Sequence, residues 1–163
     1  MDRTFEDELS ALLPRLRRFA HALSRNPADA DDLTQATIER ALRSRNQWQP
    51  GTRLDSWTYR VMRNLWIDTA RARSRRADRE APEAEGAAIG DDPRGVMDAA
   101  IDLKRVMAAM ARLPDEQREI VALILVEGFG YREVAEMLDL PMGTVSSRLV
   151  RGRTALLAMV GER

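Results

Sequence analysis

Residues 131–156 read YREVAEMLDLPMGTVSSRLVRGRTAL, two short helical patterns separated by a tight turn. In the first, Val134, Ala135 and Leu138 share an apolar face at helical spacing. Pro141 and Gly143 interrupt that pattern after Asp139. A second apolar stripe then runs through Val145, Leu149 and Leu156, with Gly152 in the missing place. Ala135 and Gly152 are small, so the spacing predicts two helix axes crossing closely there. Away from the second stripe lie Ser147, Arg148, Arg151, Arg153 and Thr154. A helix that buries one side and shows arginine and hydroxyl groups on the other suits the major groove of DNA. A solvated face on an ordinary amphipathic helix has the same make-up. The remainder of the chain has to separate the two readings.

Alanine, leucine and arginine dominate the 163 residues and aromatics reach only 5%, which favours an all-helical chain with room for one domain or two small ones. Cysteine is absent, which excludes a disulfide framework and a thiolate metal site and fits a cytoplasmic protein. The opening MDRTFEDELSALLPRLRR is charged throughout and lacks the apolar run of a secretory signal. The longest apolar run, Ile120 to Val126, has the length of a core helix and falls far short of a membrane span.

Basic and acidic residues balance at 26 each, which argues against an indiscriminate nucleic-acid binder. Their distribution says more. Residues 60–76, RVMRNLWIDTARARSRR, hold six arginines against one aspartate, whereas residues 77–95, ADREAPEAEGAAIGDDPRG, hold six acids against two arginines. The acidic stretch carries Pro82, Pro93, three glycines and a single large apolar residue, Ile89. Such a segment buries too little surface to offset its ordering entropy and reads as a flexible linker. The expected division is therefore an N-terminal domain of 1–76, a linker of 77–95 and a C-terminal domain of 96–163. Each domain has a small core, so their relative position is expected to depend on a partner.

Four helices are expected in the N-terminal domain. Leu9, Leu12, Leu16, Phe19 and Leu23 mark the first, which starts near Pro14 or kinks there. Asn26-Pro27 is a cap and first-position pair for the second. Leu54, Trp57, Val61 and Leu65 mark a third, and a separate basic fourth runs from Trp66 to Arg76. The C-terminal domain is expected to hold helices near 96–112, 115–127, 131–138 and 142–159. No strand pattern and no internal repeat is visible.

Candidate chemistry is sparse. His21 sits between two alanines in the first helix, no cysteine nucleophile exists and no Gly-rich phosphate loop is present, so catalysis is unsupported. Asp29, Asp31 and Asp32 crowd the start of the second helix, which the helix dipole explains more simply than a metal site. No metal and no cofactor is expected. The buried stripe of that helix leaves Asp29, Asp31, Asp32, Gln35 and Glu39 outward, a polar face able to meet a basic protein surface. In DSWTYRVMRNLWIDTARARSRR, aromatics alternate with arginines, the combination that binds single-stranded DNA by stacking and charge. Trp57 and Trp66 are expected to be mostly packed, leaving the arginines and Asn64 to face DNA.

Three segments in this order resemble the bacterial sigma factors of the extracytoplasmic-function type, which contain only sigma regions two and four. NPADADDLTQATIERAL is similar to the helix that grips the polymerase clamp. QPGTRLDSWTYRVMRNLWIDTARARSRR is similar to the segment that opens and reads the minus-ten element. LPDEQREIVALILVEGFGYREVAEMLDLPMGTVSSRLVRGRTAL is similar to region four, which reads the minus-thirty-five element. The resemblance implies an all-α chain of two small domains, the second containing a helix-turn-helix. It implies core RNA polymerase, promoter DNA (both duplex and melted single strand) and an anti-sigma factor as partners, and no enzymatic activity. By position, Asp31, Asp32 and Gln35 would contact the clamp. Arg60, Arg63, Asn64 and Arg71 would meet the minus-ten strand, where a flipped base needs a pocket to return its stacking energy. Ser147, Arg148, Arg151 and Arg153 would meet the minus-thirty-five element in the major groove. Other readings are a sigma-like decoy for an anti-sigma factor and a stand-alone helix-turn-helix regulator. The arginines at 148, 151 and 153 argue against the decoy, and the features at 29–39 and 55–76 leave the regulator incomplete.

Departures from the family's pattern bear on promoter identity. Ser146 stands where a basic residue is frequent, Val150 where a larger side chain is frequent, and Gly130 where serine or threonine often precedes the aromatic. Gly152 replaces a common alanine and is expected to cost about 1 kcal/mol of helix propensity.

Overall fold

Capping chemistry sets where the first helices begin. Thr4 accepts from the Asp7 N–H while the Asp7 carboxylate accepts from the Thr4 N–H, a reciprocal box that starts α1 (Phe5–Leu23). Asn26 accepts from the Asp29 N–H and Pro27 supplies the first turn of α2 (Pro27–Arg43). The computed structural model describes residues 3–79 and 98–161, with side chains over 3–77 and 102–161. The acidic stretch read as a flexible linker lies outside the described residues, apart from residues 77–79, which continue a helix.

Two expectations for the N-terminal half change. Of the two alternatives at Pro14, a helix start there is ruled out, because α1 already begins at Phe5 and Pro14 lies inside it. The carbonyl that Pro14 leaves without a donor belongs to Ser10, which is exposed, so water can serve it. The third and basic fourth helices are one helix, α3 (Leu54–Arg79). No glycine or proline lies between Leu54 and Arg76, so the shift from apolar to basic composition is a change of face and not a break. Packing of α1 on α2, and of α2 on α3, buries Leu9, Leu16, Phe19, Leu23, Ala30, Leu33, Ala41, Tyr59 and Met62.

The second unit holds α4 (Asp98–Arg112), α5 (Asp115–Val121), α6 (Tyr131–Leu138) and α7 (Met142–Gly161). Pro114 occupies the cap position of α5. At its end α5 widens into a π-helical turn over Ala122–Val126, so it closes before the expected 127. Gly128 then takes a positive φ of 78°, and Gly130 caps α6. Between α6 and α7 Asp139 is left-handed at φ 55°, and the Leu140 N–H returns to the Ala135 carbonyl at 2.9 Å. The Val145 N–H reaches the Pro141 carbonyl at 3.2 Å, which starts the second helix of the helix-turn-helix. Val134, Leu138, Val145 and Leu149 are buried between the helices as their spacing predicts. The close approach at Gly152 is different from the expected one. Its nearest neighbours are Val121 Cγ2 and Gln117 on α5, not Ala135. All described elements are helical, with α1–α3 and α4–α7 as the two helical units.

The two units pack directly on each other, without a third component. α1 meets α4, α5 and the π turn, and α3 meets α6. Phe129 is buried edge-on against Tyr59 of α3, with ring centroids 5.2 Å apart, and Tyr59 in turn packs at a tilt against Phe19. Arg118 is 1% exposed. Its guanidinium donates to the carbonyls of Met110, Ala111 and Leu113 at the end of α4 and to that of Leu23 at the end of α1. Burial pushes its pKa down, and Asp115 at 3.3 Å opposes that. Specific contacts within the chain thus join the two units.

Candidate nucleic-acid interface

Three surfaces carry the residues singled out from sequence. On α2, Asp31, Asp32 and Gln35 are all exposed and project on one side, one turn apart. Asp29 is different. It turns inward to α3, where Arg73 donates to both its oxygens at 2.6 and 2.7 Å, and this pairing holds its carboxyl below the usual aspartate range. The outward acidic face is therefore smaller than the sequence suggested, and His21 Nε2 lies 4.0 Å from Asp31 at its edge.

On α3, Arg60, Asn64 and Arg71 fall on one stripe at positions i, i+4 and i+11, and Arg63 flanks it. Asn64 and Arg71 are exposed. Trp66 is buried and Trp57 half-buried, as expected. Tyr59 is completely buried and unable to stack on a base; burial, then the charge of Glu127, push its phenol pKa far up. Arg60 and Arg63 are already engaged. The Arg60 Nε donates to the Met137 carbonyl at 3.0 Å, and the Arg63 Nε donates to Glu119 at 2.9 Å.

On α7, Val145, Leu149 and Gly152 are buried, which turns Ser146, Ser147, Val150, Arg151 and Thr154 outward. Arg153 is exposed at the margin of that face. Arg148 is half-buried and leans toward α5, its guanidinium 3.7 Å from Glu116. The outward side of α7 thus groups Ser147 with Arg151, and Arg148 stands apart from them. A cleft of about 410 Å³ between α3, α5 and α7 is lined by Arg63, Arg71, Glu116, Glu119 and Arg148. Side chains from two of the predicted DNA-reading sets therefore border one small space.

The comparisons with known proteins fall on the same two units. Residues 9–76 match Sigma-70 region 2, and residues 103–156 match Sigma-70, region 4. The chain belongs to the extracytoplasmic-function sigma factors of the sigma-70 family. It is 34% identical to the ECF RNA polymerase sigma factor EcfG of Rhodopseudomonas palustris over 96% of this chain and 85% of that protein. It is 32% identical to the RNA polymerase sigma factor CarQ of Myxococcus xanthus over 97% of this chain and 90% of that one. Its fold superposes, with a TM-score of 0.82, on the Bartonella quintana sigma factor RpoE, solved in complex with the anti-sigma factor NepR. That match covers 98% of both chains at 31% identity. As a sigma factor the protein directs core RNA polymerase to specific promoters and assists in melting them. Among the described residues no helix is long and apolar enough to cross a membrane, and no cluster of potential metal ligands is found.

Several residues at the junction of regions two and four escaped sequence reasoning. Arg18 of α1 donates to both Glu127 oxygens at 2.6 and 3.1 Å, although the Glu127 side chain is fully buried. Arg53 donates to Glu133 at 2.6 Å and to Asp55. Burial pushes the Asp55 carboxyl up, but Arg53, the Ser56 N–H and Arg15 outweigh it and hold it low. A weak signal was present. Glu119 and Glu127 flank the longest apolar run of the chain, and carboxylates beside a buried segment need cationic partners.

Proposed function

We propose that the sigma factor uses three separate faces in sequence: α2 docks on core polymerase, α3 takes the melted minus-ten strand, and α7 reads the minus-thirty-five duplex. The observation that carries this reading is that each face is built in the same way, from polar groups on the outward side of a helix whose other side is core. Asp31, Asp32 and Gln35 present two carboxylates and an amide to a basic surface on the polymerase clamp. Arg60, Arg63 and Arg71 neutralise phosphates of the non-template strand, and Asn64 hydrogen-bonds the edge of an extruded base. Arg151 and Ser147 enter the major groove, with Arg153 and Arg148 supplying phosphate contacts at its margins.

The chain divides on this reading into region two (1–76), a tether (77–95) and region four (96–163). The protein acts in the cytoplasm, without metal or cofactor and without chemistry of its own. Melting is driven by capture of unpaired bases, not by covalent catalysis. A cognate anti-sigma factor restrains it by covering the faces of both regions. This is supported by the similarity over the whole chain to a sigma factor captured with NepR. The test is run-off transcription with core polymerase on promoters of its own genome, with and without the protein. Promoter-specific transcripts are expected only in its presence. Their absence, together with retained anti-sigma binding, would favour the decoy reading.

A further inference from the structure

The outward side of α7 carries one residue for which hydrogen bonding has no use. Val150 is 64% exposed, in the middle of the helix proposed to read the minus-thirty-five duplex. Its neighbours one turn away on the same helix are Ser146, Ser147, Arg153 and Thr154. None of these is an apolar side chain that would cover it, and Val150 takes no part in the hydrophobic core. A β-branched residue at such a position also forgoes helix propensity that alanine, lysine or arginine would supply. Neither packing nor helix stability favours valine here.

Helical geometry fixes where this side chain stands. With the buried stripe of Val145, Leu149 and Gly152 facing inward, Ser147 and Thr154 lie nearly opposite it. Arg151 flanks that outward arc on one side and Val150 on the other, about 100° apart. The two residues therefore meet different base edges when α7 lies in the groove. Arg151 offers donors, which match guanine O6 and N7. Val150 offers two methyl groups and neither a donor nor an acceptor. Its branch at Cβ holds them in one preferred rotamer, so they are presented rigidly. Among the major-groove edges of the four bases only thymine carries an apolar group, its C5 methyl. Cytosine in the same place would press its N4 amino donor against a surface that cannot accept from it, and leave that donor unpaired.

We propose that Val150 is a specificity-determining residue whose methyl groups read the C5 methyl of a thymine in the minus-thirty-five element. The inference rests on the assignment of the outward side of α7 to that duplex. It goes beyond it by adding to the recognition sequence a base that no hydrogen bond selects. That thymine belongs to a different base pair from the one Arg151 reads. Leu157 lies beyond the reading surface. It is 60% exposed on nearly the same side of α7 as Val150. The N-terminal part of a recognition helix contacts base edges. Leu157 stands about 15 Å beyond Ser147 along the helix, past the groove width of about 12 Å.

The test uses the full chain assembled with core polymerase, and a duplex from a promoter that this holoenzyme transcribes. Each thymine of the upstream element, on either strand, is replaced singly by deoxyuridine. That exchange removes the C5 methyl and leaves O4 and the base pairing in place. Competition binding at fixed salt should find one position at which the wild-type protein loses about three- to fourfold in affinity, the size expected for burial of one methyl. Val150→Ala, an exposed change to a better helix former, should fold normally and bind the natural duplex more weakly by a similar factor. It should also be indifferent to deoxyuridine at that position. Leu157→Ala should keep the full deoxyuridine loss. A wild-type protein insensitive to every deoxyuridine overturns the proposal. So does a sensitive thymine whose loss is unchanged in Val150→Ala, or one whose loss disappears in Leu157→Ala. Arg151→Ala in the same assay separates the premise from the inference. If Arg151→Ala and Val150→Ala both bind as wild type, the assignment of this face fails and the methyl reading falls with it. If Arg151→Ala weakens binding but no deoxyuridine loss depends on Val150, the face stands and the role of Val150 is refuted.

Discussion

Replacing Gly152 with alanine sets two effects of known size against each other. Alanine gains about 1 kcal/mol over glycine inside a helix, and sequence alone expects that gain here. The structure opposes it. A Cβ at position 152 would lie 2.7 Å from Val121 Cγ2 and 3.3 Å from Gln117 Cβ. Val121 is buried and β-branched, so its methyl has no easy rotamer to retreat to. Overpacking of this kind costs about 1–3 kcal/mol. We expect Gly152→Ala to lose about 1 kcal/mol net, or about 2–4 °C in melting temperature for a chain of this size. Urea unfolding followed by circular dichroism measures it. The decisive arm is the same substitution in a Val121→Ala background, where the obstructing methyl is gone and the propensity gain should emerge. The sign should then change from destabilising to neutral or stabilising, a coupling between contacting residues that additive effects cannot produce. A Gly152→Ala protein that is more stable by the full propensity increment would refute the reasoning.

Arg151→Ala should weaken binding to the minus-thirty-five duplex by about 1–3 kcal/mol if the contact is to a base edge, while sparing polymerase assembly; unchanged binding at moderate salt would remove Arg151 from the reading face. Asp31→Lys with Asp32→Lys should impair core-polymerase binding more than folding, after allowance for about 0.3–1 kcal/mol per site of opposition to the helix dipole; wild-type affinity in a normally melting variant would leave this face as merely solvated. Asp139→Gly should stabilise region four by up to about 1 kcal/mol, because glycine adopts the left-handed φ of 55° at that cap without a Cβ penalty; a lower melting temperature would show that the aspartate side chain earns its place. Arg73 holds the folded Asp29 carboxyl below its ordinary pKa, so its contribution to stability is complete above the unfolded value of about 3.9 and is lost as pH falls through the lower folded value. Asp29→Asn should therefore be less stable than wild type at neutral pH, the gap closing in acid; a gap that persists at low pH would contradict the linkage.

Local signals explain what the sequence made legible. Asn26-Pro27, the stripe of α6 and the Asp139–Pro141 turn are encoded by neighbours within a few residues, and the structure carries them where expected. The division of α3 into two helices failed because it followed composition instead of a stop signal. Asp29 was placed outward because helical spacing fixes the face of a residue, whereas an inward lean depends on a partner 44 positions away. Arg118 was invisible for a similar reason. A buried arginine needs several acceptors, and here they are carbonyls freed at the ends of two helices from different regions. Sequence periodicity locates helix faces but says nothing of which carbonyl ends converge. The three proposed faces could be singled out because each sits on a single helix; the contacts that engage two arginines of one of them join residues 56 and 77 positions apart.

The unbroken length of α3 makes it a ruler. At 1.5 Å per residue its 26 residues form a rod about 39 Å long, and the 11 steps from Arg60 to Arg71 span about 16 Å. That interval equals about five nucleotide steps at 3.4 Å. Two helices with a joint between them could absorb an extra nucleotide by bending; one continuous helix cannot. On the proposed assignment, promoter recognition by region two therefore depends on spacing as well as on base identity. Inserting one nucleotide within the contacted strand should release one end of the rod, whichever base is inserted.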